Sequence, residues 1–125
     1  MKRGRTTIWI TFEREGMHRY DNAPASVDFL RDFHRHMFHF RVEVEVLHDD
    51  RDIEFILFKR ALLQAMDDNQ IDLHNKSCEQ MALAVGLWVQ YFIGVRGETA
   101  ERYIEVTVAE DGENGATVRF LPEGE

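Results

Sequence analysis

The stretch 33-FHRHMFHFRVEVEV-46 decides how the chain folds. Within it Phe38, Phe40, Val42, Val44 and Val46 share one parity, while Met37, His39, Arg41, Glu43, Glu45 and then Leu47 share the other. Successive strand side chains point to opposite faces, so the alternation predicts a half-buried β-strand with its even positions inward. His34 and His36 fall on that inward parity. Two imidazoles at i and i+2 on one face bring nitrogens within reach of a single metal ion, the arrangement behind H-x-H pairs in zinc sites. The plainer reading is a pair of strand-end histidines beside a solvent-exposed loop.

Composition limits what surrounds this strand. A chain of 125 residues, 44% hydrophobic and 30% charged, reads as one soluble domain over 1–125 with enough apolar residues for a core. The formal charge of −8 argues against a nucleic-acid partner, because phosphate binding depends on lysine and arginine displacing counterions. The basic start, Met1 to Arg5, leads directly into an alternating pattern rather than an apolar signal segment, so a cytoplasmic protein with no membrane partner is expected. The single cysteine, Cys78, cannot form an internal disulfide, in agreement with a reducing compartment.

Outward from the deciding strand, TTIWITFEREGMHRY (6–20) places Ile8, Ile10 and Phe12 on one parity, predicting a first strand with even positions inward. His18 continues that parity across Gly16, where a bulge could shift the register by one. DNAPASVDFLRDF (21–33) reads as a connection containing Pro24, with one helical turn from Ser26, and LHDDRD (47–52) as a polar turn. In DIEFILFKRALLQAM (52–66) the positions Ile53, Ile56, Leu57, Leu63 and Met66 predict a helix. SCEQMALAVGLWVQYFI (77–93) opens with Ser77 and Gln80 in a capping-box arrangement, with Met81, Ala84, Val85, Trp88 and Phe92 as its core stripe. GVRGETAE (94–101) reads as a loop. RYIEVTVAED (102–111) turns Ile104, Val106 and Val108 inward, GENG (112–115) forms a turn, and ATVRFL (116–121) pairs back with Val118 and Phe120 inward. The expected order is β-β-α-α-β-β, an α+β fold.

Extending the strand parities puts four polar groups on apolar faces: His18, His34, His36 and Glu110. Burying one without a partner costs a few kcal/mol, and an unpaired carboxylate costs more. One such residue at a strand end is unremarkable, but four ask for a common purpose. Three imidazoles leave a fourth position open, the pattern of a catalytic rather than a structural zinc ion.

These residues resemble the family of 6-pyruvoyltetrahydropterin synthase and 6-carboxytetrahydropterin synthase, which has the tunnelling fold: a four-stranded antiparallel sheet with two helices on one face. Five landmarks match in order over nearly the whole chain. Gly16-Met17-His18-Arg19-Tyr20 is similar to the end of the family's first strand, and His34-Arg35-His36-Met37-Phe38 to its His-Gly-His-Asn-Tyr. Glu54 to Lys59 is similar to its Asp-Phe-x-x-Leu-Lys, Ser77 to Ala82 to its Thr-x-Glu-Asn helix start, and Val108-Ala109-Glu110-Asp111 to its Val-x-Glu-Thr. The resemblance implies that His18, His34 and His36 hold zinc, which orients the side chain of a dihydropterin triphosphate and acidifies a neighbouring C–H. It implies that Glu110 anchors the pterin ring by accepting two hydrogen bonds, a charge-assisted bidentate pair that accounts for a costly buried acid. It further implies a ring-shaped homo-oligomer, a hexamer, with sites between subunits and Glu79 contributing from a neighbouring chain. The family's Asp-His pair finds its nearest counterparts in Asp72 and His74, the histidine one place late.

The sequence departs from the family at its general base, a cysteine. Leu30 stands at the closest-matching place and Cys78 lies far along the chain. A leucine transfers no proton, so the family's lyase reaction requires Asp28, Asp32 or another subunit to take the role. Arg35 replaces the glycine between the two histidines. Two classes follow: a zinc-dependent lyase on a pterin- or purine-like substrate with altered acid–base residues, or an inactive pterin- or purine-binding module or oligomeric scaffold. Retention of the histidines favours the first and Leu30 the second. A third reading makes the chain an acidic structural protein with incidental histidines.

Overall fold

The computed structural model describes residues 1–97 and 101–125, apart from the side chains of Met17 and His18. It contains β1 (Thr6–His18), β2 (His34–Val46), α1 (Phe55–Asp67), α2 (Cys78–Val95), β3 (Ile104–Glu110) and β4 (Asn114–Phe120). The fold is α+β in the expected order, with a four-stranded sheet β1-β2-β3-β4 in which every neighbouring pair is antiparallel. Between β1 and β2 the chain makes 3₁₀ turns over Ala25–Arg31, interrupted at Val27.

The β1–β2 ladder runs from Thr6 opposite Val46 to His18 opposite His34 without a slip. Gly16 therefore makes no bulge, and the backbone register of the two strands is preserved to their ends. Even positions form the buried side: Ile10, Phe12, Phe38, Phe40, Val42, Val44, Ile104, Val106 and Val108 join α1 and α2 in one core. The odd side is polar and laced with short contacts, including Arg41 to Glu43 at 2.6 Å and Thr107 to Thr117 at 2.7 Å.

α1 starts where the Glu54 carboxylate accepts the Leu57 N–H at 2.7 Å, satisfying an otherwise orphaned donor of the first turn. Its buried positions are Phe58, Leu62 and Ala65. The expected stripe is thus corrected: Ile56 and Leu57 are 52% and 61% exposed, and Leu63 and Met66 only border the core. Ile53 is buried but precedes the helix. The run Phe55-Ile56-Leu57-Phe58 is apolar at four consecutive positions, so periodicity alone leaves the helix free to rotate, and the sheet selects Phe58.

The capping box of α2 is formed as expected: the Gln80 N–H donates to Ser77 Oγ at 3.1 Å and the Ser77 N–H to Gln80 Oε1 at 2.9 Å. Cys78, Met81, Ala82, Val85, Gly86, Val89 and Ile93 are buried. Met81 and Val85 keep their expected place, whereas Ala84, Trp88 and Phe92 are half-buried at the border of the core. Trp88 and Phe92 turn toward Phe58 of α1, with ring centroids 6.4 and 5.4 Å away. Leu83, Leu87, Tyr91 and Val95 form a second apolar line at i+4 steps that faces outward. By length and composition alone α2 passes for a membrane span, but its other face lies in the core.

The β3–β4 hairpin turns at Asp111 and Gly112, with φ +55° and +72°, and the Glu113 N–H closes it on the Glu110 carbonyl at 3.0 Å. Positive φ at both central positions is the hairpin turn whose twist suits paired strands. It lies one residue earlier than GENG suggests, and Gly115 is already in β4. A Cβ there would stand 2.3 Å from the Val108 carbonyl oxygen and 2.8 Å from the Ala109 Cα, both fixed backbone atoms. Gly115→Ala should therefore push β4 away from β3 and destabilise the protein by about 1–3 kcal/mol, read as a lower urea midpoint at an unchanged m-value.

Candidate ligand and metal site

Strand register assembles the site. Glu110 pairs with Phe38, so the end of β3 lies beside the start of β2, where His36 and His34 stand two and four residues earlier. The His34 and His36 rings meet edge to face with centroids 4.7 Å apart. His36 Nε2 is 3.7 Å from Glu110 Oε2, too long for a hydrogen bond and within ion-pair range.

Both rings are held through Nδ1. His34 Nδ1 lies 2.8 Å from the Asp32 carbonyl oxygen and His36 Nδ1 lies 2.7 Å from Asp111 Oδ2. A carbonyl only accepts, and so does an ionised carboxylate, so each Nδ1 carries the proton and the lone pair of a neutral ring sits on Nε2. The Asp111 carboxylate also accepts the Met37 N–H at 2.9 Å. That hydrogen bond, followed by the one from His36, holds its carboxyl below the ordinary aspartate range.

A cavity of about 630 Å³ opens beside these residues, lined by His34, Glu110, Leu30, Asn75, Cys78 and Glu79 among others. Glu79 belongs to the first turn of α2, and the capping box fixes the direction from which that helix end enters the cavity. Cys78 is a buried thiol. Burial, then the charges of Glu110 and Glu79, push it up to about 11, so at neutral pH it stays protonated. Leu30, the position that matches the family's base, lines the same cavity and offers no proton acceptor.

The expected site residues are thus partly united. His34, Glu110 and Glu79 share one cavity, with His36 adjoining through His34 and Glu110. Asp72 and His74 line a second cavity of about 710 Å³, together with Phe38, Met66 and Met81. Among the described residues the two cavities share no lining residue. The Asp72 carboxylate accepts the His74 N–H at 2.9 Å, a local turn in the α1–α2 connection. The His18 side chain lies outside the described residues; its backbone pairs with His34. Among the described residues no three His, Cys, Asp or Glu side chains converge as a metal set.

Sequence reasoning missed two members of this neighbourhood. Cys78 reaches the cavity because the start of α2 packs against the end of β3, a long-range juxtaposition that no local pattern reports. Asp111 sits on outward parity one step past the strand, and it reaches His36 only because the turn begins there with φ +55°. Its signal was the Asp-Gly pair, which marks a hairpin tip.

No family model matches the chain, and no curated protein matches it.

Proposed function

We propose that the chain is a tunnelling-fold protein of the 6-pyruvoyltetrahydropterin synthase type that binds a pterin- or purine-like ligand beside a zinc ion. The observation that carries this reading is the pair His34 and His36, with rings 4.7 Å apart and each Nδ1 spent on an oxygen acceptor. Histidine ligands ordinarily bind metal through one nitrogen while donating the other N–H to a carboxylate or carbonyl. The donor set therefore suits zinc, with His34 and His36 as two ligands and His18 as the third. Bound there, zinc would act as a Lewis acid toward the ligand's oxygens.

The protein's own groups divide the remaining work. Glu110, half-buried at the cavity edge, accepts hydrogen bonds from the N–H-rich edge of the ring, and Glu79 borders the same space. Leu30 offers no base at the matching position and Cys78 stays protonated, so neither supplies the family's proton transfer, and a carboxylate of the cavity such as Glu79 would have to take that role. Asp72 and His74, in the separate cavity, serve the site only across a subunit boundary. This favours ligand binding over the lyase reaction in an isolated chain. A ring-shaped homo-oligomer accords with the exposed Trp9, Phe55 and Ile56, which line one surface groove, since clustered exposed apolar side chains mark association.

Zinc per chain, measured in protein purified without added metal or chelator, tests the reading. About one ion per chain is expected, with His34→Ala and His36→Ala each abolishing stoichiometric binding. Unchanged metal content in both variants would remove the site. Glu110→Gln should weaken binding of a pterin or guanine-like ligand by about 1.5–3 kcal/mol, the worth of a hydrogen bond to a charged group. Equal affinity by calorimetry would reject the anchor.

A further inference from the structure

We infer that Asp111 is a positioning residue for the metal site: it locks His36 as the Nδ1–H tautomer and so makes Nε2 the metal-binding nitrogen. The inference rests on the zinc reading above and adds a residue that the family resemblance does not supply, since the corresponding position there is a threonine.

Three features single out Asp111. Its Oδ2 is 2.7 Å from His36 Nδ1, and its Oδ1 accepts the Met37 N–H at 2.9 Å. Its own N–H donates to the Met37 carbonyl at 2.7 Å, so backbone and side chain are both fixed to the residue next to the ligand. Its φ of +55° is a turn conformation that asparagine or glycine would occupy as readily. The hairpin thus explains a small residue with positive φ but not a carboxylate, whereas the His36 N–H does. The contact fixes the orientation of the ring as well as its tautomer: Nδ1 faces Asp111, and Nε2 lies toward Glu110.

A carboxylate behind a histidine ligand raises its basicity and removes the freedom of the ring to flip, and loss of such a partner costs about 10–100-fold in metal affinity. Asp111→Gly leaves the turn sterically content and removes the carboxylate, while Asp111→Asn keeps a neutral acceptor. The experiment pairs two readouts. Histidine-selective ¹⁵N NMR of the metal-free protein reports the His36 tautomer, and competition with a chromophoric chelator reports zinc affinity. Expected are Nδ1–H in the wild type, loss of that preference in Asp111→Gly with zinc bound about 10–100-fold more weakly, and an intermediate affinity in Asp111→Asn. Asp111→Gly with the tautomer and the affinity both retained would overturn the inference. A wild type that takes up no zinc, yet shows an Nδ1–H His36 that Asp111→Gly releases, upholds the lock and defeats the zinc reading instead.

Discussion

Asp52→Ala should cost about 3–5 kcal/mol of stability, because it removes a carboxylate from a buried, hydrogen-bonded ion pair. The Arg102 side chain is 0% exposed and Asp52 8%, with Nη1 and Oδ2 3.0 Å apart. The same carboxylate accepts the Leu47 N–H at 2.7 Å, and Arg102 Nη1 also donates to the Glu45 carbonyl at 3.2 Å. Arg96, just past the end of α2, donates to the Asp52 carbonyl at 2.6 Å. One aspartate thereby ties the end of β2, the exit of α2 and the approach to β3. Urea unfolding at fixed protein concentration measures the loss, and an Asp52→Leu/Arg102→Met double variant should recover much of it, because well-packed apolar replacements of buried ion pairs are often neutral. A single-variant loss below about 1 kcal/mol would mean that the pair is effectively solvated.

The same group predicts the direction of acid sensitivity. Burial pushes the Asp52 carboxyl up, but the Leu47 hydrogen bond, the charge and hydrogen bond of Arg102, and the charge of His48 together outweigh it and hold it below the ordinary range. A depressed folded-state value gives stability that is full above the unfolded value near 4 and lost as pH falls through the folded value. Wild type should therefore lose stability more steeply than Asp52→Ala as the pH is taken below about 4.

Phe58→Ala should be comparably severe, about 3–5 kcal/mol, because it empties a fully buried position where three aromatic rings meet. Phe58 lies 5.4 Å from Phe92 by ring centroids, and Phe92 lies 5.4 Å from Trp88, so the lost ring leaves two others without their neighbour. Leu57→Ser, one residue away on the exposed side of α1, should change the stability of the unassembled chain by less than about 0.5 kcal/mol. If Leu57→Ser instead proves the more damaging, α1 is rotated, or an assembly covers that side.

That pair of variants also shows where the sequence was readable. The phase of each strand was legible, since a period of two admits only two phases and residues such as Val42, Val44 and Val46 choose between them, while the start of β4 was misplaced by two residues. The start of α2 was legible because Ser77 and Gln80 satisfy each other's backbone locally. The rotation of α1 was not, because four adjacent apolar residues give no preferred face until a sheet is present. For the site, parity brought His34, His36 and Glu110 toward one end of the sheet. The separation of Asp72 and His74 from them depends on the path of the α1–α2 connection, and the role of Asp111 depends on a turn one residue earlier than its glycines suggested.

Hairpin tips are ordinarily where proteins accept insertions, tags and new termini, because little else depends on their length. Here the tip residue Asp111 reaches back to both Met37 and His36, so the loop has no spare length. One residue added between Glu110 and Gly112 would leave the sheet its pairing but carry the carboxylate away from the imidazole. An epitope or a permuted terminus placed ahead of Gly112 should therefore break the Asp111–His36 contact, and another edge of the fold suits it better.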